Sequence, residues 1–124
     1  MEELRLEAGI SCGQDKYEVR LRIVQFEEDG FIILYSPALD MSGYGKTIDD
    51  AKNSLSVNLQ EFFRYTNNKK TLSTVLTELG WSNKRKKVFT PPLDTKLAET
   101  NPTYADILNN KEYSMINQEL ELSY

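Results

Sequence analysis

Apolar and charged residues alternate along Tyr17-Glu18-Val19-Arg20-Leu21-Arg22-Ile23, the period-two pattern of a strand with one buried face. The alternation slips after Ile23, where Val24 and Phe26 put apolar side chains on the other parity. Either a bulge or a strand end buried on both faces produces that slip. Asp29-Gly30 supplies the positive φ angles of a two-residue hairpin, and Phe31 to Tyr35 is the β-branched and aromatic return strand. Ser36-Pro37 ends it, because proline has no N–H for the ladder. Ser42 to Lys46 reads as a short third strand or extended piece.

The period then changes. Thr47 is placed to cap a helix with Asp49 and Asp50 in its positive first turn. Ala51, Leu55, Leu59, Phe62 and Phe63 form one apolar stripe. The spacing predicts a helix from Ile48 to about Tyr65, closed by the poor helix formers Thr66-Asn67-Asn68. Leu72, Val75, Leu76 and Leu79 predict a second, shorter helix that Gly80 stops, with Trp81 folding back as a hydrophobic contact.

On either side the signal is thinner. Leu4, Leu6 and Ala8 alternate in a short edge strand or a loose arm, and Ser11 to Asp15 has turn composition. Ser82 to Lys87 is the one basic cluster; it reads as a solvated link into a strand over Lys86–Thr90 that Pro91-Pro92 ends. Leu93 to Thr100 is polar with sparse apolar residues. Asn101-Pro102-Thr103 opens a short helix, Tyr104 to Asn110, with Thr103 as cap or first residue. Leu120, Leu122 and Tyr124 alternate with polar residues in a strand over Ile116–Tyr124 whose pairing partner the chain does not name.

These elements predict an α+β fold: an antiparallel sheet of three or four strands against one main helix, a short second helix and an extended C-terminal segment. Residues 1–92 form the core. Residues 93–124 are too few to build a core of their own and are expected to pack on the first part, on a second copy or on a partner.

The string Phe31 to Asp40, followed by Gly43-Tyr44-Gly45-Lys46-Thr47-Ile48-Asp49-Asp50-Ala51, resembles the HicB antitoxin family. Its members carry a glycine turn, a hydrophobic strand ending in a proline-containing loop, then Gly-x-Thr-x-x-Glu-Ala opening a helix. Pro37, Gly45, Thr47, Asp50 and Ala51 occupy matching positions, with Asp for the commoner Glu. A helix ending in Leu79-Gly80-Trp81 strengthens the likeness. The resemblance covers about residues 17–90 and implies a partial ribonuclease H-like core, no catalysis and no cofactor. It also implies a homodimer that blocks a small basic HicA-like ribonuclease toxin by binding it. Relatives often add a helix-turn-helix or ribbon-helix-helix; no pair of amphipathic helices with a glycine turn follows Pro91-Pro92, which argues against DNA binding.

Composition narrows the chemistry. The chain has no histidine, so a histidine-assisted nucleophile and a Cys/His zinc site are both excluded. Cys12 is the lone cysteine, without a basic neighbour closer than Lys16 to activate it, and one thiol suits a reducing cytoplasm. A net charge of −4 disfavours nucleic-acid binding by the whole chain and suits a basic protein partner. No apolar run is long enough to cross a bilayer, and the N-terminus lacks a signal-peptide core. Asp40, Asp49 and Asp50 are the one carboxylate group to weigh as a divalent-metal site, which would make the core a nuclease-like enzyme. Helix-terminal and turn positions explain the same three residues. An orphan HicB-like domain with a purely structural role is the remaining alternative.

Overall fold

The structure, a computed structural model, describes residues 9–13, 16–85 and 88–123. The expected N-terminal alternation at Leu4, Leu6 and Ala8, and Lys86, Lys87 and Tyr124, lie outside the described residues. In order, the elements are β1 (Gly9–Gly13), β2 (Lys16–Glu28), β3 (Phe31–Ser36), β4 (Met41–Gly45), α1 (Ile48–Lys69), α2 (Leu72–Glu78), β5 (Ser82–Arg85), β6 (Val88–Thr90), α3 (Asp94–Thr100), α4 (Pro102–Asn110) and β7 (Tyr113–Ser123). The α+β class and the antiparallel sheet against one main helix stand. The sheet is larger than three or four strands: the described strands number seven.

Everything hangs on β2. Its 13 residues are long enough to take two partners end to end on one edge: β1 along Lys16–Arg20 and β3 along Val24–Glu28. The other edge is taken by β7, which pairs in unbroken register from Lys16↔Ser123 to Phe26↔Tyr113. β4 extends the sheet beyond β3, and β6 and β5 extend it beyond β1. Asp29 (φ 55°) and Gly30 (φ 84°) make the expected turn between β2 and β3.

Both faces are covered near the middle. Leu34 pairs with Gly43, whose face meets the backbone of α1 at Leu55. Tyr35 points the opposite way, and its hydroxyl is held by Asn101 at the start of α4. So α1 lies on one face and the α3–α4 pair on the other. This double cover explains the slip in β2: Ile23 and Val24 are both fully buried, and the register runs through them without a bulge.

The chain departs from its sequence pattern at several places, each for a tertiary reason. Ser11 and Cys12 belong to strand β1 rather than to a turn, because Ile10 is buried and the segment is paired on both sides, by β2 and β6. Helix α1 continues one turn past Tyr65. Thr66 is 1% exposed and returns its hydroxyl to the Phe62 and Phe63 carbonyls, and Asn67 accepts a hydrogen bond from the Tyr17 hydroxyl. The helix closes only at Lys70, in the left-handed conformation. The polar stretch after Leu93 forms α3, anchored by buried Leu97. The cap of α4 is Asn101, whose side-chain oxygen accepts the Tyr104 N–H, and not Thr103. The final strand starts earlier than Ile116, at Tyr113.

Candidate interaction surface

Gly45, Thr47, Asp50 and Ala51, four of the five residues that carry the family resemblance, lie at the passage from β4 into α1. A Cβ at Gly45 would stand 2.5 Å from the Asp50 side chain and 2.7 Å from the Ala51 nitrogen. One at Gly43 would stand 2.2 Å from the Leu55 nitrogen. Only hydrogen at these two positions lets the helix backbone lie directly on the strand. Thr47, extended at φ −123°, accepts the Asp50 N–H on its hydroxyl at 3.1 Å, and Asp49 and Asp50 complement the helix dipole. Ala51 is wholly buried. Gly45, Thr47, Asp50 and Ala51 are thus one joint.

Pro37 belongs to a second joint, the loop Pro37 to Asp40. Asn101 reaches the Pro37 carbonyl at 3.4 Å, and the Trp81 indole N–H donates to the Ala38 carbonyl at 2.8 Å. Trp81 therefore folds back from the end of α2, as its place after Gly80 predicts, and reaches this loop. The Tyr35 hydroxyl donates to the Asp40 carboxylate and accepts from Asn101. Burial, reinforced by the Asp40 hydrogen bond and partly offset by Asn101, pushes the Tyr35 hydroxyl pKa well above its usual value. Tyr104 is shifted in the same direction, first by burial and then by its hydrogen bond to Asp94.

The three weighed carboxylates do not converge. Asp40 faces Tyr35 at one end of β4, whereas Asp49 and Asp50 follow its other end. Among the described residues no group of three or more His, Cys, Asp or Glu is disposed to hold a metal ion. Burial raises the pKa of the Cys12 thiol, away from the thiolate a nucleophile needs.

The exposed surface beside the first joint has a different character. Tyr44 is 62% exposed, and its neighbour Phe31 packs edge-on to it with ring centres 5.6 Å apart. Lys46 sits over the Phe31 ring at 5.4 Å. Separately, a shallow groove lies between β4 and α1, lined by Met41, Ser42, Asn58, Glu61, Phe62 and Tyr65. Tyr65 in this lining is 63% exposed, and Val57, two turns earlier on α1 and outside that lining, is 50% exposed. Met41, Phe62 and Tyr65 give this groove an apolar and aromatic lining, a composition that protein contact surfaces favour. The sequence did not flag Val57 or Tyr65, because both fall off the buried stripe of α1. Their signal was that two bulky apolar residues stood two turns apart off its buried stripe.

The free edge of β4 beneath this groove is already occupied. The Ser54 hydroxyl accepts the Tyr44 N–H at 3.2 Å, and the Asn58 amide donates to the Ser42 carbonyl at 2.8 Å. Helix α1 thereby blocks strand addition at this end of the sheet. The basic cluster contributes Ser82 to Arg85 as strand β5, and Lys86 and Lys87 lie outside the described residues. Among the described residues no helix is long and apolar enough to cross a membrane. No protein-family model matches the chain, and neither does any curated protein or any solved structure.

Proposed function

We propose that this chain is a HicB-like antitoxin, a non-catalytic cytoplasmic protein that neutralises a small, basic, HicA-type ribonuclease by direct binding and works as a homodimer. One observation carries the reading: the exposed Tyr65 lines a groove between β4 and α1 together with Met41 and Phe62. Tyrosine is enriched where protein surfaces bind, since it presents a large rigid area with few torsions to freeze. The net charge of −4 favours encounter with a basic partner. Absence of histidine fits a role that needs no proton-transferring side chain.

The test is co-purification from the native cell followed by a ribonuclease assay of whatever is recovered in equal amounts. The expected result is a small basic partner whose RNA cleavage stops when this chain is added stoichiometrically. Tyr65→Glu, folded but charged in the groove, should weaken that inhibition by tenfold or more, about 1.4 kcal/mol. Recovery of the chain alone, or a partner whose cleavage is unaffected, removes the antitoxin reading and leaves an orphan domain.

A further inference from the structure

The two outer strands flanking the β2–β3 hairpin are treated differently. At β4, Ser54 and Asn58 of α1 cover the outward backbone groups. At β7, 11 residues pair with β2 and with no other strand among the described residues. The segment Tyr113 to Ser123 contains no proline, glycine, lysine or arginine, and its register has no bulge. Proline, lysine and bulges are the usual guards of an open edge.

Which groups face outward follows from the hairpin. In a two-residue hairpin the residues flanking the turn exchange both hydrogen bonds, so Glu28, Phe26 and Val24 direct theirs to β3. Alternation then leaves Ser42 and Tyr44 outward on β4, the two residues that α1 caps. Applied to β7, the same alternation points the N–H and C=O of Tyr113, Met115, Asn117, Glu119 and Glu121 away from β2. Tyr113 and Met115 are also the exposed large apolar side chains of this strand, at 44% and 38%.

We propose that β7 is the self-association surface of this protein, pairing antiparallel with β7 of a second copy across a two-fold axis at Asn117. The charges select this occupant. Both acids, Glu119 and Glu121, lie in one half of the strand. A two-fold at Asn117 sets Glu119 against Met115 and Glu121 against Tyr113, so no acid opposes an acid. A two-fold at Glu119 would put like charges in contact. A basic strand from another protein is less favoured, because Glu121 already faces Lys16 at 3.1 Å and Glu119 faces Arg20 at 3.9 Å within the chain. The overlap of Tyr113 to Glu121 forms about ten hydrogen bonds along roughly 30 Å, comparable to the number in an ordinary stable interface. This inference rests on the homodimer reading above and is independent of any toxin.

The experiment measures mass in solution at about 100 μM, by light scattering and sedimentation, for the wild type and Asn117→Pro. Proline at this position removes an outward N–H and leaves the ladder to β2 intact. The expected result is a wild-type dimer and a folded Asn117→Pro monomer, with self-association weakened at least about tenfold. A monomeric wild type overturns this proposal and the homodimer reading together. A dimer that persists in folded Asn117→Pro overturns only the assignment to β7. Should Asn117→Pro lose its circular dichroism, oxidation of Cys12→Ser/Asn117→Cys decides. Rapid formation of a folded disulfide dimer supports the two-fold at Asn117, and failure to cross-link overturns it.

Discussion

Replacing Gly43 by alanine tests the claim that the α1–β4 contact is set by backbone touching backbone. The added methyl would stand 2.2 Å from the Leu55 nitrogen, against the 3.4 Å of ordinary contact, a shortfall of about 1.2 Å. The atoms it meets are Leu55 N, Cα and Cβ, so no side-chain rotation relieves the clash and α1 itself must lift. That helix carries Ala51, Leu55, Leu59 and Phe63, all at 0% exposure. Even a gap of 0.5–1 Å forfeits about a quarter to a half of the dispersion energy across it. Overpacking alone costs about 1–3 kcal/mol, and loosening four buried side chains raises the expectation to about 3–4 kcal/mol. Gly30 is the control. Nothing lies within 4 Å of its would-be Cβ, so Gly30→Ala carries only the strain of φ 84°, about 1–2 kcal/mol. Urea unfolding followed by circular dichroism reads both. With a slope near 1.5 kcal/mol/M, Gly43→Ala should lower the midpoint by about 2 M. A shift below about 0.5 M, or one smaller than that of Gly30→Ala, refutes the close-approach reasoning.

Three further outcomes follow from the same contacts. Asn58→Asp replaces a donor to the Ser42 carbonyl with a carboxylate that repels it, and should cost about 1–2 kcal/mol in the same unfolding assay, whereas Asn58→Ala costs less. Thr71 buries a hydroxyl without a partner among the described residues, so Thr71→Val should be neutral or raise the thermal midpoint slightly. Tyr35 and Tyr104 have folded pKa values above the ordinary 10, so their stabilising contribution is complete below pH 10 and is lost as pH rises through the folded values. Thermal midpoints should therefore fall above pH 10, and Tyr35→Phe should shallow that fall; an unchanged slope would remove Tyr35 as a cause.

Local chemistry was legible in the chain, and distant pairing was not. The β2–β3 hairpin, the Thr47 cap and the buried stripe of α1 depend on residues within a few positions of one another, and each stands where its pattern put it. Helix α1 outran its expected end because Thr66 found two carbonyls of its own helix, and Asn67 a tyrosine 50 positions upstream. Strand β1 was hidden by turn-forming composition, and only its two neighbours make it a strand. The alternation of Leu120 and Leu122 announced a strand, yet alternation carries no address, so β2 as its partner was invisible. Exposed Tyr44, Val57 and Tyr65 were missed for the converse reason: exposure is a property of what does not pack against them, and Tyr44 looks like any strand tyrosine until the sheet is assembled.

The length of β2 also sets a timetable. Its β3 partner arrives a few residues later, so the hairpin and α1 can form early during synthesis, from contacts with little loop entropy to overcome. Its β7 partner arrives roughly a hundred positions later, at the cost of the longest loop closure in the sheet. Until then the outer edge of β2 stands open on a chain still being made, able to accept a strand from any neighbouring nascent copy. A strand made long after β2 is therefore the one that covers this edge, and translation rate across residues 90–123 becomes a determinant of how much protein folds singly and how much exchanges strands.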